Sequence, residues 1–122
     1  MSHVVKIQTR LSDINAIRQS CVYLRLEPPV HGTFELYNST EMGWAVNLRD
    51  WKYPVICKVE TGEVAYDNYQ NRWGDQKRLD ELIQRYAIEK TKIEARRQGR
   101  SVSEQKLDDG SVKLTVGVGG EA

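Results

Sequence analysis

The segment from Asp75 to Gly99 constrains the fold more than any other part of this 122-residue chain. Its apolar residues recur at steps of three and four, which is typical of one side of a helix of about seven turns. Asp75 is suited to the N-cap, and Gly99 to the left-handed residue that ends a helix. The apolar side, which must pack on a sheet, consists of Leu79, Leu82, Ile83, Tyr86 and Ile93.

Basic residues form a stripe beside that apolar side. The stripe consists of Arg78, Arg85, Lys92 and Arg96. From Arg85 to Arg100 there are six basic and two acidic residues, a net charge of +4. Two interpretations stay open: a solvated face with weak ion pairs, Glu81 with Arg85 and Glu89 with Lys92, or a surface that holds an anionic partner.

Lys90 and Arg97 fall in line with the apolar side, where a charge is not expected. Either their aliphatic stems pass along the edge of the core, or the last two helical turns overhang the domain. We favour the overhang, which leaves Ile93 partly exposed and makes the helix end a candidate docking surface.

Composition excludes strong global attraction to nucleic acid or membranes, because 18 basic and 17 acidic residues give a net charge of +1. No apolar run is long enough to span a membrane and MSHVVKIQTR lacks a signal-peptide core, so we expect a cytoplasmic protein. Cys21 and Cys57 are predicted to be buried thiols in a reducing compartment. Together with the isolated His3 and His31 they do not have the spacing of a metal site, and no cofactor is predicted.

The rest of the chain predicts short strands and one short helix. Alternation predicts a first strand over Val4–Thr9, and Ser12 is the expected N-cap of a helix that ends before Pro28-Pro29. The buried stripe of that helix is Ile14, Ile17, Cys21 and Leu24. An antiparallel meander is predicted from strands at Thr33–Tyr37, Trp44–Asp50, Val55–Glu60 and Glu63–Tyr66, the last two joined at Thr61-Gly62.

Asp108-Asp109-Gly110 is the strongest hairpin signal in the chain. After it, Val112, Leu114, Val116 and Val118 alternate, so we expect this strand to lie inside the sheet against a helix. The prediction is one α+β domain over residues 1–122, with residues 118–122 as a short C-terminal tail. Its antiparallel sheet has about five to seven strands with two helices on one face, in β-α-β-meander-α-ββ order.

Aromatic residues concentrate in the loop before the long helix, DNYQNRWG. Tyr69 and Trp73 combine there with Asn68, Asn71 and Arg72, Tyr66 directly precedes the loop, and Trp44, Arg49, Trp51 and Tyr53 are expected nearby. These rings either cap the core with their polar tips in water or form a surface that stacks against a ligand such as an unpaired base.

Signatures of catalysis are missing from the sequence. It has no glycine-rich phosphate loop, no nucleophile elbow and no histidine with a carboxylate at helical spacing. We therefore expect a protein that is not an enzyme.

Three stretches resemble one family. The opening MSH with its Lys-Ile-x-Thr strand and Leu-Ser-Asp-Ile, the central DNYQNRWGDQKRLDELIQRYAIEKTKIEARRQG and the closing SVSEQKLDDGSVKLTV look like the Ycf35-like family, domain of unknown function 1257. The chain departs from many members at Leu36–Leu48, where they have a shorter glycine-tyrosine-aspartate stretch. The resemblance implies no catalytic residue or cofactor, and it implies a partner role beside a ring-forming ATPase.

Two functions follow as hypotheses. The first is a small protein-interaction or assembly factor, self-associating or docked on a protein partner; the second is a single-stranded nucleic-acid-binding module. Only nucleic-acid binding is expected to weaken steeply as the salt concentration rises. It also requires the aromatic loop and the basic stripe to lie on the same side of the protein. The candidate partner-binding residues are Tyr69, Arg72, Trp73, Arg85, Lys90, Lys92, Ile93, Arg96 and Arg97.

Overall fold

A computed structural model describes residues 5–8 and 10–117, so His3, Val4, Thr9 and the predicted tail lie outside the described residues. The predicted α+β class with two helices is confirmed. The elements are β1 (Val5–Gln8), α1 (Ile14–Tyr23), β2 (Val30–Glu35), β3 (Thr40–Val46), β4 (Val55–Lys58), β5 (Glu63–Tyr66), α2 (Gln76–Arg97), β6 (Val102–Lys106) and β7 (Val112–Val116).

The main sheet is an antiparallel meander of β2 to β5, with β1 paired antiparallel to β5. The strand order across it is β1-β5-β4-β3-β2, so β2 is an edge strand. Val46 lies opposite Val55, and Cys57 lies opposite Val64. Since residues two apart on a strand share a face, these four apolar side chains point to the same side of the sheet.

Both helices pack on that side. The core between helices and sheet is formed by Leu11, Ala16, Ile17, Cys21, Val46, Leu48, Val55, Cys57, Val64, Tyr66, Leu79, Leu82 and Tyr86. A smaller apolar cluster on the opposite face contains Leu36, Ala45, Ile56 and Ala65. The two cysteines are free and buried, as predicted, and burial raises the pKa of Cys21 to about 11 and that of Cys57 to about 12.

Helix α1 begins one residue later than predicted. Asp13 is the N-cap, because its carboxylate accepts hydrogen bonds from the backbone N–H groups of Asn15 and Ala16 at 2.9 and 3.3 Å. Ser12 is not the cap; its backbone N–H donates to the hydroxyl oxygen of Tyr86 at 3.1 Å. The hydroxyl of Tyr86 also accepts from the N–H of Asp13 at 3.0 Å, which ties α2 to the start of α1.

Both predicted ends of α2 are confirmed. The side chain of Asp75 accepts from the N–H of Lys77 at 3.0 Å. At the other end Gly99 has a φ of 72°, and the N–H groups of Gly99 and Arg100 donate to the carbonyls of Arg96 and Ala95. This pair of bonds is a Schellman turn, in which a residue without Cβ adopts the left-handed conformation at little cost.

The expectation that the last strand lies inside the main sheet is wrong. β7 pairs with β6 in a separate two-stranded sheet, in which Val102 lies opposite Val116 and Glu104 opposite Leu114. The Schellman turn directs the chain back along a different face of α2 from the one that covers the main sheet. The alternating pattern identified the strand but not its position: Val112 and Leu114 are only partly buried, and Val116 is 41% exposed.

Two meander strands begin earlier than predicted. The predictions Thr33–Tyr37 and Trp44–Asp50 become Val30–Glu35 and Thr40–Val46. The turn between them is closed by the N–H of Leu36, which donates to the carbonyl of Ser39 at 2.8 Å. Within β3, position 43 requires glycine, because a Cβ there would lie 2.7 Å from the carbonyl oxygen of Cys57.

Gly74 packs against the face of Trp51, and we expect Gly74→Ala to destabilise the fold. A Cβ at this position would lie 2.3 Å from the Trp51 ring, so the indole must move. Overpacking of this kind costs about 1–3 kcal/mol in the free energy of unfolding. Chemical denaturation measures it.

Gly99→Ala is the matched control, since a Cβ there meets nothing within 4 Å and the substitution costs only the left-handed conformation, about 1 kcal/mol. An unfolding free energy unchanged by Gly74→Ala would contradict the described packing of Trp51.

Candidate partner-binding surfaces

Trp73 lies at the centre of a group of four aromatic rings, which we call the aromatic surface. The ring centroids of Tyr69, Tyr37 and Tyr53 lie 4.8, 5.2 and 5.6 Å from that of Trp73. These separations and their tilted or edge-on angles are those of favourable aromatic pairs. Tyr37 keeps 54% of its surface exposed, so the group reaches solvent.

Three consecutive left-handed residues build the loop that carries this surface. Tyr69, Gln70 and Asn71 have φ values of 46°, 52° and 73°. Each costs about 1 kcal/mol for a residue with a side chain. The buried carboxylate of Asp67 accepts from the N–H of Tyr69 at 3.1 Å, and the side-chain oxygen of Asn71 accepts from that of Gln76 at 2.8 Å. These bonds hold the strained turn in place.

Two cations lie over the aromatic surface. The ammonium nitrogen of Lys52 is 4.6 Å from the ring centre of Trp73 and 5.6 Å from that of Tyr53. The guanidinium carbon of Arg72 is 5.0 Å from the ring centre of Tyr69. The predicted residues Tyr69, Arg72 and Trp73 therefore lie together, and Lys52, Tyr37 and Tyr53 join them. Tyr53 was predicted to lie near this loop, whereas Tyr37 and Lys52 were not.

The other aromatic residues of the predicted set lie elsewhere. Tyr66 is buried beneath Trp51, with ring centroids 5.8 Å apart, and the indole N–H of Trp51 donates to the carbonyl of Asp75 at 3.0 Å. Trp44 packs edge-on against His31 at 5.1 Å, with Arg18 above it. Both interpretations of the aromatics thus apply, to different rings: some cap the core and others form a surface.

Arg85 is not part of an open basic stripe, contrary to our expectation. Its side chain is 4% exposed, and its guanidinium carbon is 3.5 Å from the ring centre of Tyr23. It donates to Glu89, and to both carboxylate oxygens of Glu104 at 2.6 and 2.8 Å. Its hydrogen bonds to Glu104 raise the pKa of Arg85 and lower that of Glu104 to about 2.

Lys92 contributes to the same ion-pair network. Its ammonium lies 3.2 Å from a carboxylate oxygen of Glu104 and 3.7 Å from Glu89, which confirms the predicted pairing with Glu89. Two positive and two negative side chains thus neutralise one another between α2 and the β6–β7 hairpin. The predicted pairing of Glu81 with Arg85 is wrong, because Glu81 pairs with Arg78 at 3.3 Å.

The predicted overhang of the last helical turns is wrong at Lys90, whereas Ile93 is partly exposed, as predicted. The ammonium of Lys90 lies 3.0 Å from Asp13 and 2.9 Å from Glu94, and these bonds, that to Glu94 first, raise its pKa. The buried part of Ile93 packs against the main core. Beyond it Arg96 and Arg97 are exposed, with Arg97 3.3 Å from Glu94. The helix end is therefore a small cationic surface without an apolar centre.

The aromatic surface and the basic stripe lie on different sides of the protein. Tyr53 packs against the smaller apolar cluster, on the face of the sheet away from the helices. Arg85 and Lys92 lie between α2 and the hairpin, on the helix side. The shared surface that a nucleic-acid-binding module requires is not formed by these residues.

Comparison with known proteins gave no match: no family model, no curated protein and no solved structure is similar to this chain. Within residues 5–8 and 10–117, no three or more His, Cys, Asp or Glu side chains are grouped to hold a metal ion. In the same residues, neither helix has both the length and the apolar character that crossing a bilayer requires.

Removal of the Arg85 side chain is expected to destabilise the protein strongly. Arg85→Ala leaves Glu89, whose side chain is 8% exposed, without its main partner. Breaking a buried ion pair from one side costs about 3–5 kcal/mol. Thermal or urea unfolding measures the loss. Arg96→Ala, on the exposed helix end, is the matched control and should change stability by less than about 0.5 kcal/mol.

We expect attachment of the hairpin to depend on pH in the acid range. The folded pKa of Glu104, about 2, is below its ordinary value of 4.5, so its stabilising effect is complete above pH 4.5 and is lost as the pH falls towards 2. The protection factors of the amides in Val102–Lys106, which compare each exchange rate with the intrinsic rate at the same pH, should fall accordingly when followed by NMR from pH 5 to pH 2.

Glu104→Gln should have lower protection factors at pH 5 and lose most of their pH dependence, whereas Glu60→Gln, on the exposed loop after β4, should behave as the wild type. Equal pH dependence in all three proteins would contradict the assignment to Glu104.

Proposed function

We propose that this chain is a small protein-interaction or assembly factor that binds a protein partner through the aromatic surface. The observation that supports this most is Trp73 enclosed by three tyrosine rings at 4.8–5.6 Å on a solvent-reaching loop. Tryptophan, tyrosine and arginine are the residues that most often dominate binding energy at protein interfaces. They combine a large apolar area with a polar tip and few rotatable bonds.

The loop geometry favours a preorganised binding site. A turn of three left-handed residues is retained only when its surroundings compensate for its strain, and such strain concentrates at functional positions. A surface that is already ordered loses less conformational entropy when a partner binds. The proposed role is therefore recognition of a partner by a rigid surface, with no catalytic step.

Membership of the Ycf35-like family, a cytoplasmic location and a protein partner are further parts of this proposal. The Ycf35-like resemblance rests on the three quoted stretches, and it favours a cytoplasmic protein that works beside a ring-forming ATPase. Self-association is compatible with the same role.

Single-stranded nucleic-acid binding is the second candidate, and Lys52 and Arg72 favour it. Both cations lie over exposed or partly exposed rings, an arrangement that also suits stacked bases and their phosphates. Neutralisation of Arg85 and Lys92 by carboxylates counts against it, because backbone phosphates need several open cations.

Affinity capture with the tagged protein from its native host, with and without nuclease, tests the proposal. Tyr37→Ala and Arg72→Glu alter the aromatic surface at exposed positions. Matched controls are Val22→Ala, at an apolar residue that is 69% exposed, and Arg96→Glu, which makes the same charge change on the helix end. We expect to capture a protein partner whose binding is unaffected by nuclease. Its affinity should fall by about tenfold or more with Tyr37→Ala and with Arg72→Glu, but not with the two controls.

Other outcomes contradict the proposal in distinct ways. If partner binding is lost with Arg96→Glu alone, the binding site lies at the helix end and not on the aromatic surface. If nuclease treatment removes the captured partner and binding weakens steeply as the salt concentration rises, single-stranded nucleic-acid binding is favoured instead.

A further inference from the structure

Strand β2 offers a free set of backbone hydrogen-bonding groups along the edge of the main sheet. Among the described residues its only neighbouring strand is β3. The N–H of Leu36 bonds to Ser39, in register with the β2–β3 pairing, so the even-numbered residues of β2 bond towards β3. Because this pattern alternates along an antiparallel strand, the N–H and C=O groups of His31, Thr33 and Glu35 point outward.

Between Val30 and Glu35, after Pro28-Pro29, this edge lacks the features that usually prevent strands from pairing. Natural edge strands are short or carry lysine, proline or a bulge. β2 has six residues, VHGTFE, with no lysine, arginine or proline and with one carboxylate at its end. Val30 on this strand and Met42 on its neighbour are 58% and 64% exposed, so apolar area lies beside the free backbone groups.

We propose that β2 pairs antiparallel with β2 of a second copy of this chain, which joins the two main sheets into one. A two-fold axis perpendicular to the sheet requires facing residues to be both odd or both even, since facing side chains share a face. In the pairing centred on Thr33, this residue faces its own copy. His31 then faces Glu35 of the second copy, and Gly32 faces Phe34.

Charge and shape complementarity identify the occupant as a second copy. An imidazole N–H of His31 donates to the carboxylate of Glu35, and symmetry provides this pair twice in each dimer. The Phe34 ring already lies beside Gly32 within one chain, where a Cβ would meet it at 3.3 Å. The same ring covers the glycine that faces it across the axis. A strand of another sequence would have to reproduce this pattern.

Cross-linking by a single introduced cysteine tests the register. In a hydrogen-bonded antiparallel pair the Cα atoms are about 5.5 Å apart, within the range that a disulfide spans. Thr33→Cys should therefore form a covalent dimer under mild oxidation. Cys21 and Cys57 do not compete, because they are 1% and 0% exposed.

Met42→Cys is the matched control, since Met42 lies opposite Thr33 on β3 and is 64% exposed, but is one strand further from the axis. We expect cross-linking of Thr33→Cys to be at least about tenfold faster, because only its Cα atoms meet at disulfide distance. Equal rates in the two variants would overturn the pairing.

Sedimentation equilibrium with a charge exchange tests the facing pair. His31→Glu places two carboxylates opposite each other and should weaken the dimer by about tenfold, since it affects two symmetric pairs. The double variant with Glu35→His should recover the wild-type association. Glu60→His, away from β2, is the control for the change of residue type.

A wild-type protein that stays monomeric at about 1 mM, or a double variant no tighter than His31→Glu, would overturn the proposal. Circular dichroism of each variant separates loss of pairing from loss of folding. No residue of the aromatic surface is altered, so this result is independent of the proposed partner binding.

Discussion

The guanidinium of Arg85 connects α1, α2 and the β6–β7 hairpin. It stacks on Tyr23 at the end of α1, pairs with Glu89 on its own helix and binds Glu104 on the hairpin. An isolated two-stranded hairpin is marginally stable in water, so β6 and β7 depend on this attachment for a fixed position. A planar group with five donors suits the role, because it meets two carboxylates and a ring face at once.

The sequence predicted well the features that depend on local chemistry. Asp75 and Gly99 mark the ends of α2 because capping is decided within a few residues, and β5 has the bounds predicted beside the Thr61-Gly62 turn. It did not predict the position of β7 or the burial of Arg85. Periodicity gives the angle of a residue around its helix, but what covers that angle comes from elsewhere in the chain. Here Tyr23 and Glu104, 62 and 19 residues away along the chain, cover Arg85.

The candidate site shows the same division. Tyr69, Arg72 and Trp73 are close in sequence and also meet in space. Tyr37 joins them only because the β2–β3 turn brings it to the same end of the sheet. Tyr66 is only two residues before Asn68 in the sequence, yet its position on β5 directs its side chain into the core. Residues close in sequence therefore predicted the loop, and the register of the sheet decided which rings reach solvent.

The two buried thiols allow the breathing of this fold to be followed under native conditions. Cys21 lies on α1 and Cys57 on β4, and both face the same core. A thiolate is the reactive form, so burial and a raised pKa suppress modification while the helix stays on the sheet. Alkylation of either sulfur then requires a local opening, and its rate reports the free energy of that opening. The chain thus contains a natural kinetic probe of the interface between its helix and strand layers.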